Sequence, residues 1–178
     1  WERVASDIAY EVGEDLRKRI DGDEVFFESQ YERYYPEGTF ASSVLGYTQR
    51  DDISQGKYGI EQRYNTKLQG IDGFEQRERA ATGSLWLPVG DRVREEARDG
   101  KDVILHIDHT IQYRLENTLE TLMSEYSAKE AFGIIMDPKT GKVLAMGDRP
   151  SFNPNRYYTV DSISQLRNPV VSNLYEPG

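Results

Sequence analysis

Three short stretches of this chain hold the residue types of serine acyl transfer: Ser54-Gln55-Gly56-Lys57, Ser151-Phe152-Asn153 and Lys139-Thr140-Gly141. That chemistry needs a serine at a helix N-terminus and a lysine one turn later on the same face, so that the amine can take the hydroxyl proton. It also needs a Lys-Thr-Gly strand edge beside the nucleophile. Neither condition is met. Gly56 interrupts the turn after Ser54, which reads as part of a loop, and Lys139-Thr140-Gly141 reads as a tight turn. Their order along the chain is wrong as well. Short patterns of common residues recur freely, so these three are expected to form no site.

The only histidines, His106 and His109, flank Asp108 as His-x-Asp-His. Imidazole and carboxylate are usual metal ligands. Here a strand gives way to a helix between the two rings and turns them in unrelated directions. Asp108 is therefore read as a helix N-cap, its carboxylate accepting from free backbone N–H groups, and no metal or cofactor is expected. Cysteine is absent, which excludes a disulfide scaffold and a thiolate metal site and suits either the cytoplasm or an exported protein without disulfides. The net charge of -9, with acidic and basic residues alternating as in Glu75-Gln76-Arg77-Glu78-Arg79, argues against nucleic acid, whose binders carry a basic stripe.

The elements that must position these residues follow from periodicity. Val4, Ile8, Val12, Leu16 and Ile20 recur at every fourth position and predict a helix over residues 1–20, stopped by Asp21-Gly22. Aromatic alternation predicts a strand over residues 25–35, closed by Pro36 and Gly38. A short helix or turn is expected over 40–46, a loop over 55–59, and helical spacing from Ile60 through Tyr64 to Leu68. Residues 74–98 read as two or three charged β segments, broken near Gly83 and near Pro88-Val89-Gly90. The apolar run Val103-Ile104-Leu105-His106-Ile107 predicts a buried strand, and Ile111, Leu115, Leu119, Leu122 and Tyr126 line the clearest helix. Residues 132–136 and 142–146 pair as strands across Asp137-Pro138-Lys139-Thr140-Gly141, a turn in which Pro fixes φ and Gly permits a left-handed residue. Weak helical character returns over 161–174. This order of elements indicates an α+β fold, with a boundary at Asp99-Gly100. No run approaches the roughly 20 apolar residues that span a bilayer.

Five blocks in collinear order then resemble the class B penicillin-binding proteins. Arg33-Tyr34-Tyr35-Pro36 followed by Ala41-Ser42-Ser43-Val44-Leu45-Gly46-Tyr47 is similar to the family's Arg-x-Tyr-Pro … Leu-Gly block. Gly56, Gly59-Ile60-Glu61 and Leu68-Gln69-Gly70 with Gly73 resemble its Gly-x-x-Gly-x-Glu … Leu-x-Gly-x-x-Gly block. Asp99-Gly100, Asp102-Val103, Leu105, Ile107-Asp108 and Ile111-Gln112 resemble the strand-to-helix entry of its transpeptidase domain. Residues 136–146, around Gly141, resemble that domain's first hairpin. Arg167-Asn168-Pro169 and Tyr175-Glu176-Pro177-Gly178 resemble the approach to its serine.

The resemblance implies an elongated α+β dimerisation (pedestal) domain over residues 1–98. Residues 99–178 would then be the first helix and hairpin of an incomplete transpeptidase domain. It implies a membrane-anchored, extracytoplasmic peptidoglycan D,D-transpeptidase, with the anchor before Trp1 and the Ser-x-x-Lys helix directly after Gly178. On that reading the chain has no catalytic residue of its own. Its partners would be division, elongation or sporulation cell-wall proteins, and the parent would act on stem peptides and bind β-lactams. The phrase over residues 137–155 is similar to Gram-positive division or sporulation members. Alternatives are a stand-alone interaction module derived from the family, one piece of a split enzyme, or an unrelated binding domain.

Arg33 and Glu61 are read as an internal ion pair or as pins for backbone turns marked by Gly56, Gly59, Gly70 and Gly73, rather than as partner contacts. Tyr31, Tyr34, Tyr35, Tyr157 and Tyr158 are read as exposed, either a binding surface or amphipathic cover. A hairpin without the rest of its sheet leaves an open edge, so self-association through residues 103–146, as a homodimer or larger, is expected.

Overall fold

The computed structural model describes residues 2, 4, 5, 8–20, 25–28, 32–49, 52–76 and 93–174. It divides into two compact units, Trp1–Glu32 and Arg33–Gly178. No described helix is long and apolar enough to cross a membrane.

Among its described residues the first unit contains one helix, α1 (Tyr10–Arg19), shorter than the twenty-residue helix expected. At 3.6 residues per turn a four-residue spacing drifts by about 40° per step, so Val4 to Ile20 do not share one face. Ala9, at the N-cap, offers no side-chain acceptor to hold an earlier start. The helix suits its dipole instead, with Glu11 in the first turn and Arg17, Lys18 and Arg19 in the last. Described residues 25–28 and 32–35 form no strand, contrary to expectation, and residues 29–31 lie outside the described set.

The second unit contains the hairpin of β5 (Ala131–Met136) and β6 (Val143–Arg149), preceded in the chain by smaller elements. These are α2 (Ser42–Leu45), an antiparallel pair β1 (Tyr47–Gln49) and β2 (Asp52–Lys57), α3 (Gly59–Arg63), α4 (Asn65–Leu68) and a second pair, β3 (Phe74–Gln76) with β4 (Val93–Glu95). The expected loop over 55–59 is largely strand: pairing of Thr48 with Gly56 and of Tyr47 with Lys57 overrides the turn-like composition of Gln-Gly-Lys. Helical spacing over 60–68 resolves into two short helices meeting at Tyr64. The expected breaks near Gly83 and residues 88–90 lie outside the described residues.

Helix α5 (His109–Tyr126) starts where expected. Asp108 caps it, accepting from the Ile111 amide at 2.9 Å, and Ser127 ends it in a left-handed conformation at φ 50°. Its buried face differs from the one predicted. Gln112, Glu116 and Leu119 are buried, whereas Leu122 and Tyr126 are exposed. The helix is therefore rotated toward a row at i, i+4 and i+7 that begins with two polar residues. The cross-strand pair Gly133 and Gly147 makes room for it. A Cβ on the first would stand 3.1 Å from Leu115 Cδ1 and one on the second 3.3 Å from Gln112 Nε2.

Alternation along β6 sorts its two faces. Gly147 and Arg149 turn to α5. Met146 and Asp148 turn to α2 and to α6 (Pro169–Ser172), where Asp148 hydrogen-bonds the Ser43 hydroxyl and Met146 Sδ lies 3.1 Å from Asn168 Nδ2. The strand expected over 103–107 has no ladder partner among the described residues. It is tied at its ends, by Lys101 N to the Lys67 carbonyl at 2.7 Å and Asp108 N to the Leu144 carbonyl at 2.8 Å, and Ile104 between them is 93% exposed. The weakly helical tail resolves into 3₁₀ turns at Pro154–Thr159 and Ile163–Leu166, followed by α6.

A second core lies beside β1. Tyr35, Tyr47, Phe152 and Leu166 are buried together, with Leu45, Tyr58, Tyr157 and Val160 packed against them. Tyr47 stacks on Tyr157 at 4.1 Å between ring centroids and meets Phe152 edge-on at 6.1 Å. Two of the tyrosines read as exposed, Tyr35 and Tyr157, thus belong to the interior; Tyr34 and Tyr158 are exposed, and Tyr31 lies outside the described residues.

Candidate functional site

Two polar nodes hold the second unit together. The first joins Arg33, Tyr35 and Glu61. Gly59 sets it up: at φ +48° it opens α3 with its Cα against the Val44 carbonyl, where any Cβ would collide, and so turns Glu61 inward. Glu61 Oε1 accepts from Arg33 Nε at 2.8 Å and from the Tyr35 hydroxyl at 3.2 Å. Burial pulls the Arg33 guanidinium down, but the hydrogen bond and charge of Glu61 outweigh it and hold the group above its usual value. Burial, and then the Glu61 charge, push the Tyr35 phenol well above the ordinary tyrosine range. The Tyr35 main chain is held by a side chain from far away in sequence: its N–H donates to Asn155 Oδ1 at 2.9 Å, and Asn155 Nδ2 donates to its carbonyl at 2.8 Å. Asn155 thus takes the place of a strand partner for Tyr35.

The second node lies between α5, β6 and the turn before α2. Gln112, fully buried, donates from Nε2 to Glu116 Oε1 at 2.7 Å and to the Met146 carbonyl at 2.9 Å, and accepts from the Met146 amide at 2.9 Å. Glu116 Oε1 also accepts from the Ala41 amide at 2.8 Å, and its Oε2 accepts from Arg149 Nη2 at 3.0 Å. Arg149 is shared, since its Nε donates to Glu120 at 2.9 Å. On the other face of β6, burial pushes the Asp148 carboxyl up to about 6; the Ser43 hydrogen bond and the Arg149 charge pull it down, while Glu116 and Glu130 add to the rise. Asn168 caps α6 through the Val170 amide at 3.0 Å and points its Nδ2 toward the Ser43 carbonyl at 3.5 Å.

The remaining residues singled out by sequence are placed as follows. Pro36 begins the turn that leads to α2, and Tyr34 before it is 74% exposed. Gly70 and Gly73 run against the backbone of residues 95–100. Gly141, at φ +71°, closes the hairpin turn, and Arg167 follows the 3₁₀ turn as an exposed residue. His109 stacks on Phe40 at 4.7 Å with its Nε2 3.5 Å from Glu37, and no group of three or more metal-ligating side chains occurs among the described residues.

The serine-type patterns sit on separate elements. Ser54 and Lys57 lie in β2, not in the expected loop. Lys139-Thr140-Gly141 is the hairpin turn, in which Asp137 accepts from the Lys139 amide at 2.9 Å and the Thr140 hydroxyl at 2.7 Å. Asn153 caps the following 3₁₀ turn through the Asn155 amide at 3.0 Å. What this arrangement does chemically is hold backbones together.

Sequence reasoning missed Gln112 as a buried bridge, along with Glu116, Arg149, Asp148, Asn155 and Ser43. The Gly133/Gly147 pair was the available signal for the first, because a helix laid that closely on a hairpin must bury whatever faces the glycines.

A helix laid on a two-stranded hairpin, joined to a glycine-pinned mixed α+β region, defines an α+β protein with no catalytic constellation among its described elements. Known proteins carry the same arrangement. Residues 3–105 match the penicillin-binding protein dimerisation domain and residues 131–178 the penicillin-binding protein transpeptidase domain. The chain is 32% identical over 152 residues to the probable peptidoglycan D,D-transpeptidase PenA of Neisseria meningitidis, covering 85% of this chain and 26% of that one. It is 33% identical over 161 residues to stage V sporulation protein D of Bacillus subtilis, covering 90% and 24%. Among solved structures, a peptidoglycan synthetase from Bifidobacterium adolescentis superposes with a TM-score of 0.71 at 28% identity, covering 97% of this chain and 30% of that one. The chain belongs to the class B penicillin-binding proteins. It spans about a quarter of the length of the curated relatives it matches.

Proposed function

We propose that this chain is the positioning portion of a membrane-anchored, extracytoplasmic peptidoglycan D,D-transpeptidase, with residues 1–98 as the pedestal and 99–178 as the opening helix and hairpin of the catalytic head. The observation that carries this reading is the shared interior. Tyr35 and Tyr47, in the part similar to the dimerisation domain, are buried with Phe152 and Leu166, in the part similar to the transpeptidase domain. Glu116 adds a buried tie between the Ala41 amide and Arg149. Such a junction fixes the direction in which the head leaves the pedestal.

In the parent, a serine outside residues 1–178 attacks the penultimate D-Ala carbonyl of a stem peptide. The C–N bond breaks, D-Ala leaves with a proton, and the acyl group passes to the amine of a second strand. β-Lactams acylate the same serine. The chain itself holds no nucleophile for this chemistry, and its pedestal meets division, elongation or sporulation cell-wall proteins. Fluorescent penicillin tests both halves of the proposal. The parent should label covalently and the 178-residue chain should not. Labelling of the chain overturns its inertness, and an unlabelled, correctly folded parent overturns the transpeptidase reading.

A further inference from the structure

The run between Lys101 and Asp108 lies on the protein in the manner of a strand without joining a sheet. Its ends are tied, Lys101 N to the Lys67 carbonyl at 2.7 Å and Asp108 N to the Leu144 carbonyl at 2.8 Å. Between them, residues 102–107 make no main-chain hydrogen bond among the described residues. Burial alternates along the run: Val103, Leu105 and Ile107 are half-buried, while Asp102, Ile104 and His106 are exposed, Ile104 at 93%. That is the period of a strand with one face on its own protein and the other in water. A strand so placed presents free N–H and C=O groups along which another chain can pair. Asp102 and His106 have no hydrogen-bond or ion-pair partner among the described residues either.

We propose that this run is a self-pairing edge, along which a second copy of the chain docks antiparallel about a two-fold axis at Ile104. The residues of the run select both the occupant and the register. In an antiparallel pair, residues directly opposite each other share a face, so the outward residues of one copy must meet the outward residues of the other. A slip by one residue sets outward positions against half-buried ones and is excluded. In the register centred on Ile104, that side chain is covered by its own counterpart, and Asp102 faces the second copy's His106 at both ends. Each carboxylate then accepts from an imidazole N–H. The register centred on Leu105 instead sets Asp102 against the second copy's Asp108, like charge against like. The register centred on Val103 sets Asp102 against Ile104 and leaves His106 opposite Gly100. The run is therefore complementary to itself, and in one register. A strand this short buries less than a standard interface, so the dimer is a weak, concentration-dependent one. It stands whether or not the positioning role holds.

Sedimentation equilibrium on the intact chain at neutral pH, over a wide range of concentration, measures the association. Ile104→Lys sets two ammonium groups together at the axis and should weaken the dimer by about tenfold or more. A charge exchange tests the register itself. His106→Asp alone places Asp against Asp at both ends, and Asp102→Lys alone places Lys against His, so each should weaken self-association. Mixed in equal amounts, these two variants should prefer each other, because every outward charged pair between them becomes Lys with Asp or Asp with His. Native mass spectrometry should then show heterodimer above its statistical share, and the double variant Asp102→Lys/His106→Asp should regain the wild-type affinity. All three positions are exposed, so unchanged melting temperatures separate loss of pairing from loss of fold. A monomer at every concentration overturns the proposal, as do single variants that mix statistically. So does a dimer that survives Ile104→Lys but is lost with Ile135→Lys, which would move the contact to the hairpin.

Discussion

Truncating Glu116 to alanine tests the junction most directly. The side chain is 7% exposed and serves three donors: the Ala41 amide at 2.8 Å, Gln112 Nε2 at 2.7 Å and Arg149 Nη2 at 3.0 Å. Two of the three keep another partner when it is removed. Gln112 retains the Met146 carbonyl at 2.9 Å and Arg149 retains Glu120 at 2.9 Å. The Ala41 amide retains none among the described residues. A stranded buried donor costs about 1–3 kcal/mol, and breaking a buried ion pair about 3–5 kcal/mol when the surviving charge has nowhere to go. Arg149 does have somewhere to go, which places the total near the lower end, about 3 kcal/mol. For a chain of this size each kcal/mol moves Tm by roughly 2–4 °C, so Glu116→Ala should melt ~6–12 °C lower. Glu116→Gln keeps an acceptor for Ala41 and loses only the charge, at about 1–2 kcal/mol. Urea unfolding and thermal melts at neutral pH measure both. An alanine variant within ~0.5 kcal/mol of wild type, or a glutamine variant as damaging as alanine, would refute the assignment of the cost to the Ala41 amide.

Two other consequences are open to measurement. In the Arg33–Glu61 pair, Arg33 is 44% exposed and Glu61 8%, so screening limits the coupling in a double-mutant cycle to about 1 kcal/mol. Glu61→Ala alone should cost more than Arg33→Ala because it also removes the acceptor of the Tyr35 hydroxyl, which keeps only its contacts with Thr48; equal costs would argue against that bond. The hairpin leaves Ile134, Ile135 and Met136 at 42%, 37% and 49% exposure, and this apolar surface should drive concentration-dependent self-association that Ile135→Lys weakens. A strict monomer at high concentration in sedimentation would sink this expectation.

The parts of the fold legible in sequence were those whose signal is local. Helix α5 announces itself through Asp108 and its period, and the β5–β6 hairpin through Pro138 and Gly141, because caps and turns are written within a few residues. Strand expectations over 25–35 and 103–107 rested on composition, and a strand needs a partner that composition does not name. Tyr35 finds Asn155 instead. The β1–β2 pair shows the converse: a Gln-Gly-Lys stretch that looks like a turn becomes strand because Tyr47 and Thr48 lie opposite. In the candidate site, the Gly-x-Glu spacing pointed to Glu61 and the Arg-Tyr-Tyr-Pro block to Arg33, and the structure brings them to 2.8 Å. Resemblance singled out Gln112, but its burial and Glu116 were hidden because polar residues at i and i+4 on a helix ordinarily mark its wet face. Only the glycines on the facing strands, more than fifteen residues away, reverse that reading.

The clasp between Tyr35 and Asn155 also sets a schedule. The two residues are 120 positions apart, and the cluster of Tyr35 and Tyr47 with Phe152 closes only when the later segment exists. At a synthesis rate of roughly 5–20 residues per second, about 6–24 seconds pass between making the first partner and the second. Throughout that interval the nascent pedestal carries aromatic side chains with no interior to enter. An exported chain can meet this by crossing the membrane before it folds, and a helper that shields Tyr35 and Tyr47 during that wait would act on a state the finished protein never displays.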